Sequence, residues 1–324
     1  MRRVGASGQV RLNSGIGVIQ RVVHPILAAQ VELIESPSRD VSGRGAELRG
    51  LVTGLRPPGR GLQGYFCSVS PLPLRVRTAA PVVTIVHDLR WQRSEPSWIK
   101  RAYRAWDLRR AVRLSDTLLC VSQRTLDDLK AFAPEAAEKA EVAWLGPGLV
   151  ADDAWSDGVP GRALLLQPAP HKRNELAAEV MSLLPRELVS SIVGINVSEE
   201  TRRICEEGFG AANCRWTSRV SDGQLLEEYR QASWYVHLGT DEGFGMPYVE
   251  AMASGCSVVA IDQPLTREIL GTDTAVLLPD STPGEMAAAW AAHGEPAADA
   301  RRQRVELFSW HNFAAAVYRG LRLG

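Results

Sequence analysis

Thr240-Asp241-Glu242-Gly243-Phe244-Gly245-Met246-Pro247-Tyr248-Val249-Glu250-Ala251-Met252-Ala253-Ser254-Gly255 reads as a glycine-jointed turn running into a short helix. Pro247 suits a first-turn position, where its missing N–H costs nothing. Gly255 suits the residue just past the helix, where φ is often positive. Gly243 and Gly245 let the backbone approach a ligand closely and aim free N–H groups at it. The helix N-terminus adds partial positive charge and favours an anion such as a phosphate. Two carboxylates frame the turn, Glu242 before it and Glu250 on the helix, with seven residues between them.

A carboxylate beside an anion site makes sense if the ligand also carries hydroxyls, which donate to carboxylates. A nucleotide sugar has diphosphate, ribose hydroxyls and sugar hydroxyls. The run from Glu242 through Glu250-Ala251-Met252-Ala253-Ser254-Gly255-Cys256-Ser257-Val258-Val259 resembles the E-x7-E segment of the retaining family-4 glycosyltransferases, which have the GT-B fold. The competing reading, an ordinary glycine turn before a buried helix, accounts for neither carboxylate.

The 324 residues are enough for two domains. Apolar content of 45% and charged content of 23% are those of a soluble globular protein. No apolar run reaches the ~18 residues of a membrane span. Met1-Arg2-Arg3-Val4-Gly5 lacks the apolar segment of a signal peptide. The five cysteines (Cys67, Cys120, Cys205, Cys214, Cys256) are odd in number and form no C-x-x-C. Free thiols in a reducing, cytoplasmic setting are expected, with neither a disulfide framework nor a zinc site. Residues 1–150 hold 22 Lys and Arg against 13 Asp and Glu, whereas residues 151–324 hold 15 against 24. Two units of different surface charge fit this asymmetry, and opposite charge favours their facing each other. Chance distribution over solvated faces fits it too.

Outward from the central stretch, strands and helices alternate, which predicts mostly parallel sheets. In the second half strands fit Ala163–Gln167, Ser191–Val197, Cys214–Thr217, Trp234–Leu238, Ser257–Ile261 and Ala275–Leu278. Helices fit 173–184, 199–208, 223–232, 246–254, 283–293 and 298–307, and a last helix fits Trp310–Leu323. The polar, breaker-rich Asp152–Gly161 reads as the domain boundary. In the first half, weak strands fit Arg2–Ala6 and Gly64–Val69. A helix follows Gly15 and Gly17, with Pro25 kinking or ending it. Residues 36–61 have loop composition. Pro81–Leu89 is the clearest strand, placing His87 and Asp88 beyond its carboxyl end, where open α/β sheets hold ligands. A strand fits Thr117–Val121, and Ser122 suits the N-cap of a helix Gln123–Phe132.

The resemblance extends, in order, over Val83–Leu89 with its His-Asp pair, Val121–Leu129 and Val220–Ala232, and so covers most of residues 62–323. It implies an α/β GT-B fold: two doubly wound Rossmann-like domains facing across a cleft. The first would span 1–150 on the acceptor side. The second would span 161–308 and bind the nucleotide sugar, and the helix in 309–324 would cross back to the first. It further implies that Glu250 accepts from ribose hydroxyls and that Glu242 serves the donor sugar or the developing anomeric charge. The backbone of Gly243, Phe244 and Gly245 would hold sugar and phosphate. His87 would lie near the donor sugar or the acceptor, and Gly15 and Gly17 resemble the glycine loop over the donor diphosphate. Each glycine and His87 also has a plain structural reading, as a helix-starting turn or a satisfied strand-end residue.

One departure stands out. The family has an Arg and a Lys that bind the diphosphate, but the upstream Arg position here holds Gln167 or Pro168. Arg173-Asn174 aligns best with the family's Lys-Asn, and Lys172 is one position away. Lys172 and Arg173, both expected to be exposed, remain to neutralise the diphosphate, and Arg219 is a candidate substitute. No D-x-D stands out and no metal or other cofactor is expected. The resemblance implies same-face attack by an acceptor hydroxyl, with the leaving phosphate oxygen taking the proton. The alternatives are a catalytically weak or inactive sugar-nucleotide-binding protein and a GT-B sugar-nucleotide epimerase. The expected partners are a nucleotide sugar and a hydroxyl acceptor, with no nucleic acid. Residues 91–113 carry seven Lys or Arg, two acids and four large aromatics. As a helix over 97–115 they would either touch an anionic membrane peripherally or pack on their own sheet with the charges facing water.

Overall fold

The computed structural model describes residues 2–7, 15–35, 61–68, 80–149, 155–167 and 170–323. The expected loop at 36–60, Val69, Pro168 and the linker residues up to Ala154 lie outside them. The chain divides into two compact units, Met1–Gly148 with Ser309–Gly324, and Leu149–Phe308.

The first unit is built on β1 (Arg3–Ala6), β2 (Glu32–Glu35), β3 (Gly64–Cys67), β4 (Val82–Val86), β5 (Thr117–Cys120) and β6 (Ala140–Val142). They pair in the order β2-β1-β3-β4-β5-β6, all parallel. A parallel strand is covered on both faces, so it reads as a continuous apolar run; every residue of Val82–Val86 is buried. Edge strand β2 escaped the sequence reading, because four residues with two glutamates resemble loop.

The helices of this unit are α1 (Gly15–Ala28), α2 (Trp91–Ser94), α3 (Trp98–Leu114) and α4 (Gln123–Phe132). Helix α1 passes through Pro25 to Ala28, because Ile19, Val23 and Leu27 are fully buried and outweigh the one lost backbone bond. Ser97 caps α3 by accepting from Lys100 N, and Ser122 caps α4 by accepting from Thr125 N. Only the second half of α3 is anchored: Asp107, Arg110, Ala111 and Val112 are buried. Trp98, Ile99 and Trp106 stay 71%, 62% and 47% exposed. The apolar side of α3 is therefore not consumed by its own sheet.

The second unit carries β7 (Val159–Leu166), β8 (Ser191–Ile195), β9 (Cys214–Thr217), β10 (Ala232–His237), β11 (Ser257–Ile261) and β12 (Ala275–Leu278). Their order is β12-β11-β10-β7-β8-β9, again all parallel. Between them run α5 (Asn174–Ser182), α6 (Glu199–Phe209), α7 (Asp222–Gln231), α8 (Met246–Ala253), α9 (Pro264–Leu270), α10 (Pro283–His293) and α11 (Ala298–Val305). Two features differ from the sequence reading. Strand β7 starts at Val159 rather than Ala163, through Pro160 and Gly161, where its register against β10 shifts between Ala232 and Trp234. Gly161 takes φ +72°, so residues that look like linker form an irregular strand start. Helix α9 is too short to show a period, but Gln263 and Thr266 close a capping box at its start. The core is centred on Trp234 and Trp290, edge to face at 5.2 Å, with Val236, Val259 and Val276 beside them.

The last helix, α12 (Trp310–Gly320), belongs to the first unit. Tyr318 Oη donates to Ile26 O at 2.7 Å, and Trp310 Nε1 donates to Pro147 O at 2.8 Å. A Cβ at Gly146 would sit 2.5 Å from the Trp310 ring, so that position must be glycine. No helix among the described residues is long and apolar enough to cross a membrane.

Candidate functional site

In the second unit the order reverses between β7, its first strand, and β10, its fourth. Adjacent strands whose helices depart to opposite sides leave a crevice at their carboxyl ends. The polypeptide leaving β7 carries His171 and Lys172 in a 3-10 turn, Pro170–Lys172, before α5. Asn174 Nδ2 donates back to Leu166 O at 3.3 Å and also reaches Gln167 O, tying this turn to the strand end. The polypeptide leaving β10 carries His237, Gly239 and Glu242, then α8.

Lys172 Nζ lies 2.5 Å from Glu242 Oε1. His171 Nε2 is 3.6 Å and His237 Nε2 3.5 Å from the same oxygen. Burial alone would raise the Glu242 carboxyl, but His171, Lys172 and His237 around it prevail and hold it well below the usual carboxylate range. It is therefore an ionised group aimed into the crevice. Burial pushes His237 down to about 3, helped by the Lys172 charge and opposed by Glu242, so its ring is neutral. Lys172 is buried, not exposed as the sequence suggested, because the turn folds it inward against Glu242.

Arg173 goes the other way. It holds a left-handed conformation, φ 54° and ψ 43°, at the start of α5. Its Nη2 pairs with Asp280 Oδ1 at 2.8 Å in a half-exposed position. Of the two basic residues, only Lys172 reaches the crevice. Arg219 is exposed beyond β9, the edge strand two places from β7.

Helix α8 starts at Gly245, φ +81° and ψ 55°, with Pro247 in its first turn. A Cβ on Gly245 would fall 2.4 Å from the Tyr248 ring, so glycine is needed for both backbone and space. The Phe244 ring turns inward, 5.9 Å and edge to face with Phe308, leaving only its backbone for a ligand. Glu250 is buried and its Oε2 accepts from Tyr229 Oη at 3.2 Å. At the far end Gly255 takes φ +101°, and a Cβ there would overlap Ser156 O at 1.9 Å.

The first unit has its own reversal, between β1 and β3. Ser7 and Ser68 follow these strands, and their hydroxyls are 2.7 Å apart, with Gln20 Nε2 donating to Ser68 Oγ at 2.9 Å. His87, beyond β4, donates from Nε2 to Ser68 O at 2.7 Å. A carbonyl can only accept, so Nε2 carries the proton. Burial lowers the ring below the usual histidine value despite Ser68 and Asp88, and Nδ1 then carries a lone pair able to accept a hydrogen bond from a hydroxyl. A pocket of about 330 Å³ beside it is lined by Thr84, His87, Asp88, Trp91, Tyr103 and Asp107, among others. Gly15 and Gly17 lie in the first turn of α1. His171, His237, Tyr229 and Tyr235 were missed in the sequence reading. The signal for His237 was there, a histidine closing a strand two residues before a glycine, as His87 closes another.

Residues 167–292 match the model of the family described as glycosyl transferases group 1. The chain is 25% identical over 272 residues to the serotype-specific mannosyltransferase WbdA of Escherichia coli, covering 73% of this chain and 33% of that protein. It is 33% identical over 150 residues to the phosphatidyl-myo-inositol mannosyltransferase of Mycolicibacterium smegmatis, covering 43% of this chain and 38% of that one. The chain thus spans about a third of the length of the curated relatives it matches. Among solved structures it resembles HepE of Anabaena, determined with UDP and glucose, at a TM-score of 0.68 and 14% identity, both chains being covered in full. The fold is GT-B: two doubly wound, Rossmann-like units.

Proposed function

We propose that this chain is a retaining glycosyltransferase of the family-4 type, moving a sugar from a nucleotide-diphosphate sugar to a hydroxyl acceptor. The observation that carries the reading is the Lys172–Glu242 pair at the strand-order reversal of the unit that matches the group 1 family. A diphosphate entering the crevice offers Lys172 a doubly charged partner, and the freed Glu242 faces hydroxyls or the developing positive charge of the sugar. Glu250 would receive the ribose hydroxyls. The leaving phosphate oxygen would take the acceptor proton, so that no protein nucleophile is required. Glu242 and Glu250 then do not act as the acid and nucleophile of a glycosidase.

The acceptor hydroxyl is assigned to the first unit, beside the Nδ1 lone pair of His87 and the adjoining pocket. Its carboxylates and aromatic rings suit a hydroxylated acceptor. The exposed Trp98, Ile99 and Trp106 of α3, with Lys100, Arg101, Arg104 and Arg109 also exposed, form a basic aromatic surface suited to peripheral contact with anionic lipid.

The reading is tested by presenting a panel of nucleotide sugars with and without hydroxyl acceptors. Release of nucleoside diphosphate together with a new glycoside of unchanged anomeric configuration is the expected result. Isomerised sugar nucleotide would instead establish an epimerase. Binding with thermal stabilisation but no turnover would establish a sugar-nucleotide-binding protein, which the absence of a basic residue at Gln167 also fits.

A further inference from the structure

Besides Lys172, two imidazole nitrogens approach Glu242 Oε1, His171 Nε2 at 3.6 Å and His237 Nε2 at 3.5 Å, and of the two rings His237 is the buried one. The ring is 2% exposed at the end of β10 and lies 4.8 Å from the Tyr248 ring. Tyr235 Oη is 3.2 Å from His237 Nδ1, and this histidine nitrogen is the only hydrogen-bond partner of the phenol among the described residues. A buried phenol O–H needs an acceptor, so its proton points to Nδ1, and the ring's own proton must sit on Nε2. His237 Nε2 has no hydrogen-bond partner among the described residues and faces Glu242 Oε1 at 3.5 Å. Space has been kept for this ring: a Cβ at Gly239 would stand 2.6 Å from His237 Nε2 and from His171 O.

We propose that His237 is a positioning residue for Glu242, an Nε2–H donor oriented by Tyr235 that keeps the carboxylate aimed when Lys172 turns to the diphosphate. A cation alone could not serve both groups at once. With Lys172 drawn to phosphate, Glu242 would be a buried carboxylate lacking its closest donor, and such a group is costly until another N–H closes on it. Closing the gap from 3.5 Å to hydrogen-bond distance needs a shift of only about half an ångström. The proton inventory runs Tyr235 O–H to Nδ1, then Nε2–H to Glu242, and no proton is transferred. A buried neutral ring also leaves the Glu242 charge intact for the sugar.

This inference rests on the transferase reading, and two measurements separate their failures. The first needs no activity. 15N NMR of His237 in the intact chain should show a neutral Nε2–H ring that does not titrate between about pH 5 and 8. The Nε2 signal should move in Glu242→Gln. A ring protonated on Nδ1, or one that titrates in this range, overturns the proposal. The second is kinetic, with the nucleotide sugar that the parent turns over. His237→Leu should lower kcat about tenfold while UDP or GDP affinity stays within about twofold. His237→Gln, which keeps an N–H, should recover most of the loss. Tyr235→Phe should shift the ring proton and lower kcat with unchanged nucleotide affinity. Parent-level kcat in the leucine variant, or an equal loss of nucleotide affinity, overturns the proposal. Should the leucine variant not fold, the glutamine variant and the NMR state of the parent still decide. A parent that turns over no nucleotide sugar removes the transferase reading and leaves the tautomer to judge His237.

Discussion

Lys172 Nζ and Glu242 Oε1 stand 2.5 Å apart, seventy positions apart in sequence, and neither side chain is more than 11% exposed. A buried pair of this kind is a poor source of net stability, since desolvating both charges cancels most of the attraction. It is well suited to a site that must exchange one partner for a ligand.

Lys172 and Arg173 should separate in function. Lys172→Ala should abolish detectable UDP and GDP binding, whereas Arg173→Ala should change it by less than about 1 kcal/mol, because Arg173 is occupied with Asp280 in a half-exposed pair. Calorimetric titration of the two variants checks this. Equal losses would return Arg173 to the site.

Acid stability should report on Glu242. Its carboxyl is depressed in the folded state, so its contribution is present above the unfolded value near 4.3 and lost as pH falls toward the folded one. Glu242→Gln should therefore flatten the decline of melting temperature below about pH 4.5 while lowering stability at neutral pH, where it strips Lys172 of its anion. A parallel pH curve for variant and parent contradicts the buried pairing.

The proposed function gives Glu250 a second duty beside its bond to Tyr229. Glu250→Gln keeps an oxygen for Tyr229 Oη but turns the other into an N–H donor, and should weaken nucleotide-sugar binding by about 1–3 kcal/mol with little change in melting temperature. Glu250→Ala should lose the same affinity and, in addition, about 1–3 kcal/mol of stability, because the buried phenol loses its acceptor. Unchanged donor affinity in both folded variants sinks the ribose assignment.

Gly245, at φ +81° and ψ 55°, tests the turn before α8. A Cβ there would meet the Tyr248 ring at 2.4 Å. Gly245→Ala should cost about 2–4 kcal/mol, from left-handed backbone strain together with the displaced ring. Chemical denaturation measures it, and a cost below about 1 kcal/mol would mean that the turn relaxes freely.

The surface of α3 should bind anionic vesicles at low salt and release them at high salt. Replacing Trp98 and Ile99 by serine should reduce co-sedimentation at both salt concentrations without lowering the melting temperature, since both side chains are already in water. No binding by the parent at low salt leaves α3 as an ordinary solvent-facing helix.

Much of the architecture was legible in the residues, for local reasons. Strands such as Ser257–Ile261 and Ala275–Leu278 are continuous apolar runs, Ser122 caps the helix that follows it, and Glu242 and Glu250 frame a glycine turn. These features depend on period, capping and spacing within a dozen residues, and they determined two alternating α/β units and the place of the site motif. Features with little local signal were lost: β2 is too short and polar, α9 too short to show a period, and the start of β7 is disguised by Pro160 and Gly161.

The site's chemistry was decided by tertiary structure. Only the strand order places β7 beside β10, and only that adjacency brings Lys172 and His171 to Glu242 and His237. The two neighbouring cations, Lys172 and Arg173, look equivalent in one dimension. A left-handed residue at the helix start sends one into the crevice and the other out to Asp280. The proton on His237 is likewise fixed by burial and by a phenol two residues away on the same strand face. Charge state and side-chain direction depend on what surrounds a group in space, and neighbours in sequence supply only a small part of that surrounding.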